Sequence, residues 1–299
     1  MAAITGQPRG IDLTETSGWR RTKNRIATFV MWFAFIATLI PLVFVLYTVI
    51  SKGVSAISWQ FLSGSPIPAN VMPLNAPGGM WPAILGTLEI TGFAALIAIP
   101  LGVLGAVYIN EYGGKGWLAK LISFMADVMT GVPSIVMGLF IFTIWTLKFS
   151  YSGLAGSFAL ACLMLPVVIK SSYEMLRLVP DQLRQASYAL GATKARVTLT
   201  VVLPAAIGGI TSGALLAVAR AAGETAPLLF VILSTQTTNS NLFAGANTAL
   251  STQIFVNAQS PFVGAEERAW GAALTLIVIA FILMLGSRLI TARFTRYTR

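Results

Sequence analysis

The sequence predicts an all-α, polytopic membrane protein with six transmembrane helices, and three observations carry that prediction. Hydrophobic residues make up 56% of the 299 residues, and mean hydropathy is +0.79. Only 10% of residues are charged, where an ordinary soluble domain carries roughly a quarter. Six stretches are apolar enough to cross about 30 Å of hydrocarbon, in which backbone polar groups must be satisfied within the segment.

Residues 1–25 read as an N-terminal tail, mobile over its first 18 residues, whose basic end precedes the uncharged run Ile26–Ile50. That run is longer than the apolar region of a cleavable signal, so the first span is expected to be retained. The loop Ser51–Pro82 contains Pro66, Pro68, Pro73, Pro77 and the pair Gly78–Gly79. These forbid regular helix through most of it and suit a structured connector. The second span, Ala83–Asn110, carries only Glu89, and the third, Leu121–Leu147, only Asp127. Both carboxylates are expected to serve structure near a membrane boundary. Gly131, Pro133 and Gly138 are expected to bend the third span or to let helices pack closely. Gly153–Ile169 is a short fourth span that lengthens toward Val179 if its basic end snorkels.

The fifth span, Ala205–Leu233, carries Arg220 and Glu224, with Gly223 and Pro227 placed to loosen it. Thr235–Arg268 is mostly polar, but within Ala249–Ala258 the spacing of Leu250, Ile254, Phe255 and Ala258 permits a short surface helix. Ala269–Ser287 is the sixth span. Residues 26–290 therefore form one transmembrane domain, and 291–299 a short C-terminal tail. Trp32, Trp59, Trp81, Trp117, Trp145 and Trp270 mostly fall near span ends, as interfacial anchors do.

Positive charge orients the spans. With the N-terminus inside, sixteen Lys and Arg residues fall on the cytoplasmic side, and only Lys52, Lys148 and Arg268 fall outside. This asymmetry puts both termini in the cytoplasm. The net charge of +10 needs no nucleic acid to explain it, because the basic residues flank spans and form no single binding face. One cysteine, Cys162, and no histidine exclude an intrachain disulfide and Cys–His chemistry, and leave a zinc site short of ligands. Gly113–Gly114–Lys115–Gly116 lacks the spacing and the hydroxyl of a phosphate-cradling loop, so any ATP hydrolysis must belong to another chain.

Two segments carry function. The inner loop 180–204 reads as a helix over Asp181–Leu190, a left-handed stop at Gly191, and a second helix near Lys194 capped by Thr193. Small residues at Ala186, Ser187, Ala189 and Gly191 let a neighbouring protein approach the backbone, and Pro204 is expected to break the helix before the fifth span. In that span, Arg220 and Glu224 stand one turn apart on one helical face and can pair. Burying an ionisable side chain within a span costs about 2.5–3.5 kcal/mol, so such residues are functional by default. Two roles fit the pair, a glue between helices or an oxyanion site in which the carboxylate holds the guanidinium fork until an anion displaces it.

The inner loop resembles that of the integral membrane subunits of ATP-binding-cassette importers, whose pattern is Glu-Ala-Ala, three residues, Gly, nine residues, Ile, any residue, Leu-Pro. This chain has Gln185-Ala186-Ser187, Gly191, Val201, Val202 and Leu203-Pro204 at matching spacing, with Gln185, Ser187 and Val201 as departures. Gln185 removes a charged contact with a partner arginine. The string Arg220-Ala221-Ala222-Gly223-Glu224-Thr225-Ala226-Pro227-Leu228-Leu229 is similar to the fifth-span signature of the PstA family of phosphate-specific permeases. Gly78 to Leu88 and Asp127 to Ile135 resemble the corresponding stretches of that family.

The resemblance implies a permease that moves inorganic phosphate across the plasma membrane. It also implies a homologous permease PstC, an ATPase dimer PstB that binds ATP and Mg, and an extracytoplasmic phosphate-binding protein PstS. Arg220 and Glu224 would face the path, and Gln185, Ala186, Ser187, Gly191, Leu203 and Pro204 would meet the ATPase. This chain would need no cofactor of its own. Guanidinium chemistry alone leaves sulfate or molybdate open as the anion, and an ion-coupled carrier or channel acting without an ATPase remains a more distant alternative.

Overall fold

The computed structural model describes residues 18–66, 78–114 and 116–296, and it is helical, with no strand among the described residues. Residues 1–17 of the expected mobile tail and 67–77 of the proline-rich loop lie outside them. The chain divides into two units, Met1–Ile50 and Ser51–Arg299. The first contains most of α1 (Gly18–Ala56), which includes the predicted uncharged run and carries Pro41. Thr28 and Thr38 donate their hydroxyls to the carbonyls of Asn24 and Ala34, so neither polar group needs water.

In the second unit, α2 (Trp59–Ser63) precedes α3 (Trp81–Val107), whose last turns widen into a π-helical segment at Tyr108–Tyr112. α4 (Trp117–Gly131) meets α5 (Ser134–Ile141) at an angle of 107°. A π-helical stretch, Phe142–Thr146, carries α5 into α6 (Leu147–Phe149). α7 (Gly153–Arg177) follows, and then α8 (Asp181–Ala189). α9 (Lys194–Val197), a π-helical segment at Thr198–Val202 and α10 (Leu203–Ala222) run on as one rod. α11 (Leu228–Val231), α12 (Leu250–Ala258) and α13 (Val263–Arg296) complete the order.

Among the described residues, five helices are long and apolar enough to span a membrane, and the bent pair α4–α5 makes a sixth traverse if counted as one. The third span is therefore not straight. Val132 leaves the helical region at φ −74°, ψ 129°, as the residue before a proline is pushed to do, and Pro133 opens the next helix. The fourth span extends to Arg177, in line with a snorkelling basic end.

Pro204 does not break its helix. A proline removes one backbone donor and crowds the turn before it, and the wide turn at Thr198–Val202 immediately precedes it. α12 is also not a surface helix. Leu250, Ser251, Thr252, Gln253 and Asn257 are buried, and Gln253 Nε2 donates to Ser234 Oγ, the Thr235 carbonyl and Thr248 Oγ1 at 3.0, 3.1 and 2.9 Å. Its polar residues solvate one another, a pattern the apolar spacing could not reveal.

α3 and α7 form the spine of this unit. Ile90, Ala94 and Ala98 of α3 pack with Ala155, Ala159 and Met164 of α7. Small side chains let two backbones approach where lipid offers no hydrophobic drive to association. Ser157 Oγ donates to the Ile90 carbonyl at 3.0 Å across this seam. At Gly102 a Cβ would come within 2.7 Å of Val168 Cγ1. Gly102→Val is therefore expected to wedge the helices apart and cost about 1–3 kcal/mol, read as a lowered unfolding midpoint of the purified protein.

Candidate functional site

α10 stops at Ala222 because Gly223 favours no helix and Pro227 removes a donor three residues after Glu224. Arg220 lies in its last turn, and Glu224 stands beyond the helix in the 223–227 break. The predicted single helical face for the two is therefore replaced by a helix end and a loop. They still pair, with Arg220 Nε 3.8 Å from Glu224 Oε1. Nor is the arginine buried. Its side chain is 73% exposed, against 23% for Glu224.

A second helix break faces the first. Gly138 of α5 packs on the 223–227 turn so closely that a Cβ would come 2.5 Å from Pro227 Cα. On the other side of the turn, Ser251 of α12 donates its hydroxyl to the Glu224 carbonyl at 2.9 Å, so a backbone acceptor outside a helix is satisfied by a side chain. Between the breaks lies a cavity of about 250 Å³. Its wall comprises Met129 and Thr130 of α4, Val132, Pro133 and Ser134 at the bend, Pro166 and Val167 of α7, and Arg220, Ala221 and Glu224. The N-terminus of α5, the positive end of a helix dipole, adjoins the same space as the guanidinium. A permanent cation, a carboxylate able to share it and a helix N-terminus favour an oxyanion. No group of three or more His, Cys, Asp or Glu that could hold a metal occurs among the described residues.

The inner loop forms as its turn chemistry predicts. Gly191 adopts φ +80° and closes α8 through its N–H to the Tyr188 carbonyl at 2.9 Å. Thr193 Oγ1 accepts from the Arg196 N–H and caps α9. Gln185, Ala186 and Gly191 are exposed, Ser187 is half-buried with its hydroxyl on the Leu183 carbonyl, Leu203 is half-buried against the cluster around Val197 and Val202, and Pro204 is exposed. Leu183, Tyr188 and Leu190 of the same loop are exposed apolar side chains.

Arg184 joins this loop to the spans, through a partner that sequence reasoning missed. Its Nη2 donates to Glu111 Oε1 at 2.9 Å and to the Leu176 carbonyl at 3.1 Å, and its Nη1 to the Val179 carbonyl at 2.7 Å and Asp181 Oδ1 at 3.0 Å. The side chains of Arg184 and Glu111 are 13% and 4% exposed. α8 is thereby bonded to the ends of α3 and α7. Elsewhere, Asp127 of α4 pairs with Lys170 of α7 at 2.7 Å, and Glu89 is half-buried on α3.

Residues 98–296 match the family of the binding-protein-dependent transport system inner membrane component. The chain is 42% identical over 285 residues to the phosphate transport system permease protein PstA 1 of Mycobacterium tuberculosis (strain ATCC 25618 / H37Rv), covering 94% of this chain and 91% of that one. It is 40% identical over 277 residues to the phosphate transport system permease protein PstA of Yersinia pestis, covering 92% of each. A solved bacterial alginate ABC transporter, in complex with an alginate pentasaccharide-bound periplasmic protein, is similar in fold. The TM-score is 0.59 at 16% identity, over 91% of this chain and 97% of that one. The inward-facing MetNI methionine ABC transporter gives 0.56 at 20% identity, over 72% and 94%.

Removing one member of a buried ion pair strands the other, at a cost of about 3–5 kcal/mol. Arg184→Ala is accordingly expected to loosen α8 from the spans, seen as faster amide hydrogen exchange across 181–189 with little change in α3 away from its end.

Proposed function

The chain belongs to the PstA family of phosphate transport system permease proteins, among the binding-protein-dependent transport system inner membrane components, and we propose that it passes inorganic phosphate inward by way of Arg220 and Glu224. It is a multi-pass membrane permease of a phosphate ABC importer, a transport component and not an enzyme, with ATP hydrolysis in a separate subunit. The relatives' names support phosphate over sulfate or molybdate, and the family does not favour a carrier or channel acting without an ATPase.

One observation carries the assignment of the path: the Arg220–Glu224 pair opens on a cavity of about 250 Å³ between two helix breaks. Arginine offers a planar fork that takes two phosphate oxygens at once, each charge-assisted hydrogen bond contributing about 1.5–3 kcal/mol. Glu224 is near enough to share that fork without locking it. The carboxylate repels a dianion once it has displaced the pair, which favours release. A lone cation would hold the anion too tightly to turn over.

The remaining parts follow the same reading. A PstC-type permease completes the path, a PstS-type binding protein delivers phosphate from outside, and a PstB-type ATPase dimer, holding ATP and Mg, docks on the inner loop. Both termini face the cytoplasm, in keeping with the excess of Lys and Arg in the loops assigned to that side. Exposed Gln185, Ala186 and Gly191, with Leu183, Tyr188 and Leu190, supply a surface of small and apolar groups for the ATPase.

Arg220→Gln is expected to leave the assembled complex intact and to lower ATP-driven uptake of labelled phosphate into vesicles by roughly a hundredfold or more, the worth of a bidentate charged contact. Unchanged uptake rejects the role. Gly191→Val places a β-branched side chain at φ +80°, where it is strained. It is expected to reshape the loop and weaken co-purification of the ATPase, and full co-purification speaks against the docking surface.

A further inference from the structure

A second cation lies next along the same groove. A second hollow of about 420 Å³ follows the Arg220 cavity along α4 and α7, lined by Ser123, Ala126 and Asp127 of α4 and by Lys170, Ser171 and Glu174 of α7 among others. The two are successive on both helices. α4 contributes Met129 and Thr130 to the first and Ser123, Ala126 and Asp127 to the second, while the residues of α7 that line the first end at Val167 and those that line the second begin at Ile169. Lys170 stands at the lip between them. Its Nζ lies 2.7 Å from Asp127 Oδ1 and 3.3 Å from the hydroxyl of Thr130, itself a wall residue of the Arg220 cavity.

We infer that Lys170 is a second anion station, which takes phosphate from Arg220 and passes it toward the α8 end of the groove. The inference rests on the proposed path through Arg220. Both stations share one device, a cation held by a single carboxylate and partly open to a cavity. An ion pair as exposed as this one adds little to holding α4 to α7, so a strut alone is a weak reason for its presence. An ammonium binds phosphate as a point charge with rotatable donors, less tenaciously than a guanidinium fork, and so suits a stage passed through quickly. Asp127, paired with Lys170, and Glu174, one turn further along α7, leave the hollow with more negative than positive groups, and an arriving dianion is urged onward.

The test uses the complete importer in vesicles, with labelled inorganic phosphate as probe and ATP hydrolysis measured alongside. Lys170→Gln is expected to lower maximal uptake by about tenfold, the worth of one charge-assisted hydrogen bond, with little change in the phosphate concentration giving half-maximal uptake and with ATP hydrolysis continuing. Lys170→Arg is expected to restore most of the rate, and Asp127→Asn, which keeps the cation and removes only the carboxylate that competes for it, to lower maximal uptake severalfold less than Lys170→Gln does, whereas a helix strut needs both partners equally. Uptake by Lys170→Gln within twofold of normal, failure of Lys170→Arg to restore it, or equal losses for Lys170→Gln and Asp127→Asn overturns the second station. Arg220→Gln in the same assay separates the two readings. Its loss of uptake beside a normal Lys170→Gln removes Lys170 alone, and its normal uptake removes the path on which both depend.

Discussion

Backbone that leaves the helix inside a membrane must be covered by protein and hydrogen-bonded there, and the cavity proposed as the site exists because that condition is met twice at one place. The 223–227 break rests against Gly138, where the absence of a side chain lets α5 touch Pro227. Its exposed carbonyl at Glu224 is taken by Ser251. The bend between α4 and α5 then closes the opposite wall. Each interruption makes the other tolerable. The gap left between them is lined by both polar and apolar side chains.

The link from loop to site is equally physical. Lys194 to Ala222 forms a continuous rod of 29 residues, about 40 Å at 1.5 Å per residue. It begins in the inner loop and ends at Arg220. Val197 and Val202 near its start pack with Leu176 of α7, with Val179 just beyond it and with Ala106 of α3, and Arg184 fastens α8 to the same ends. On the proposed reading, a push on the loop reaches three helices at once, and α8 has little slack to absorb it.

Much of this was legible in the sequence, and the limits have causes. Gly191 and Thr193 were readable because left-handed stops and caps depend on one or two neighbouring residues. Gly131 and Pro133 announced the bend, although not its angle. The pairing of Arg220 with Glu224 was readable from spacing, but the helix end between them was not, since both a helical turn and a tight break place such residues near one another. Pro204 misled because a wide turn upstream absorbs its clash. Glu111 and Arg184 are 73 residues apart, so only the tertiary fold joins them. Arg268, assigned by charge to an outer loop, is fully buried within α13, and its neighbours in the sequence give no sign of it.

The wide turn at Thr198–Val202 also fixes the azimuth of everything above it. One surplus residue in such a turn swings the helix beyond it by about 100° around its own axis while adding little length. The guanidinium of Arg220, some five turns higher on the rod, points where it does because of that surplus.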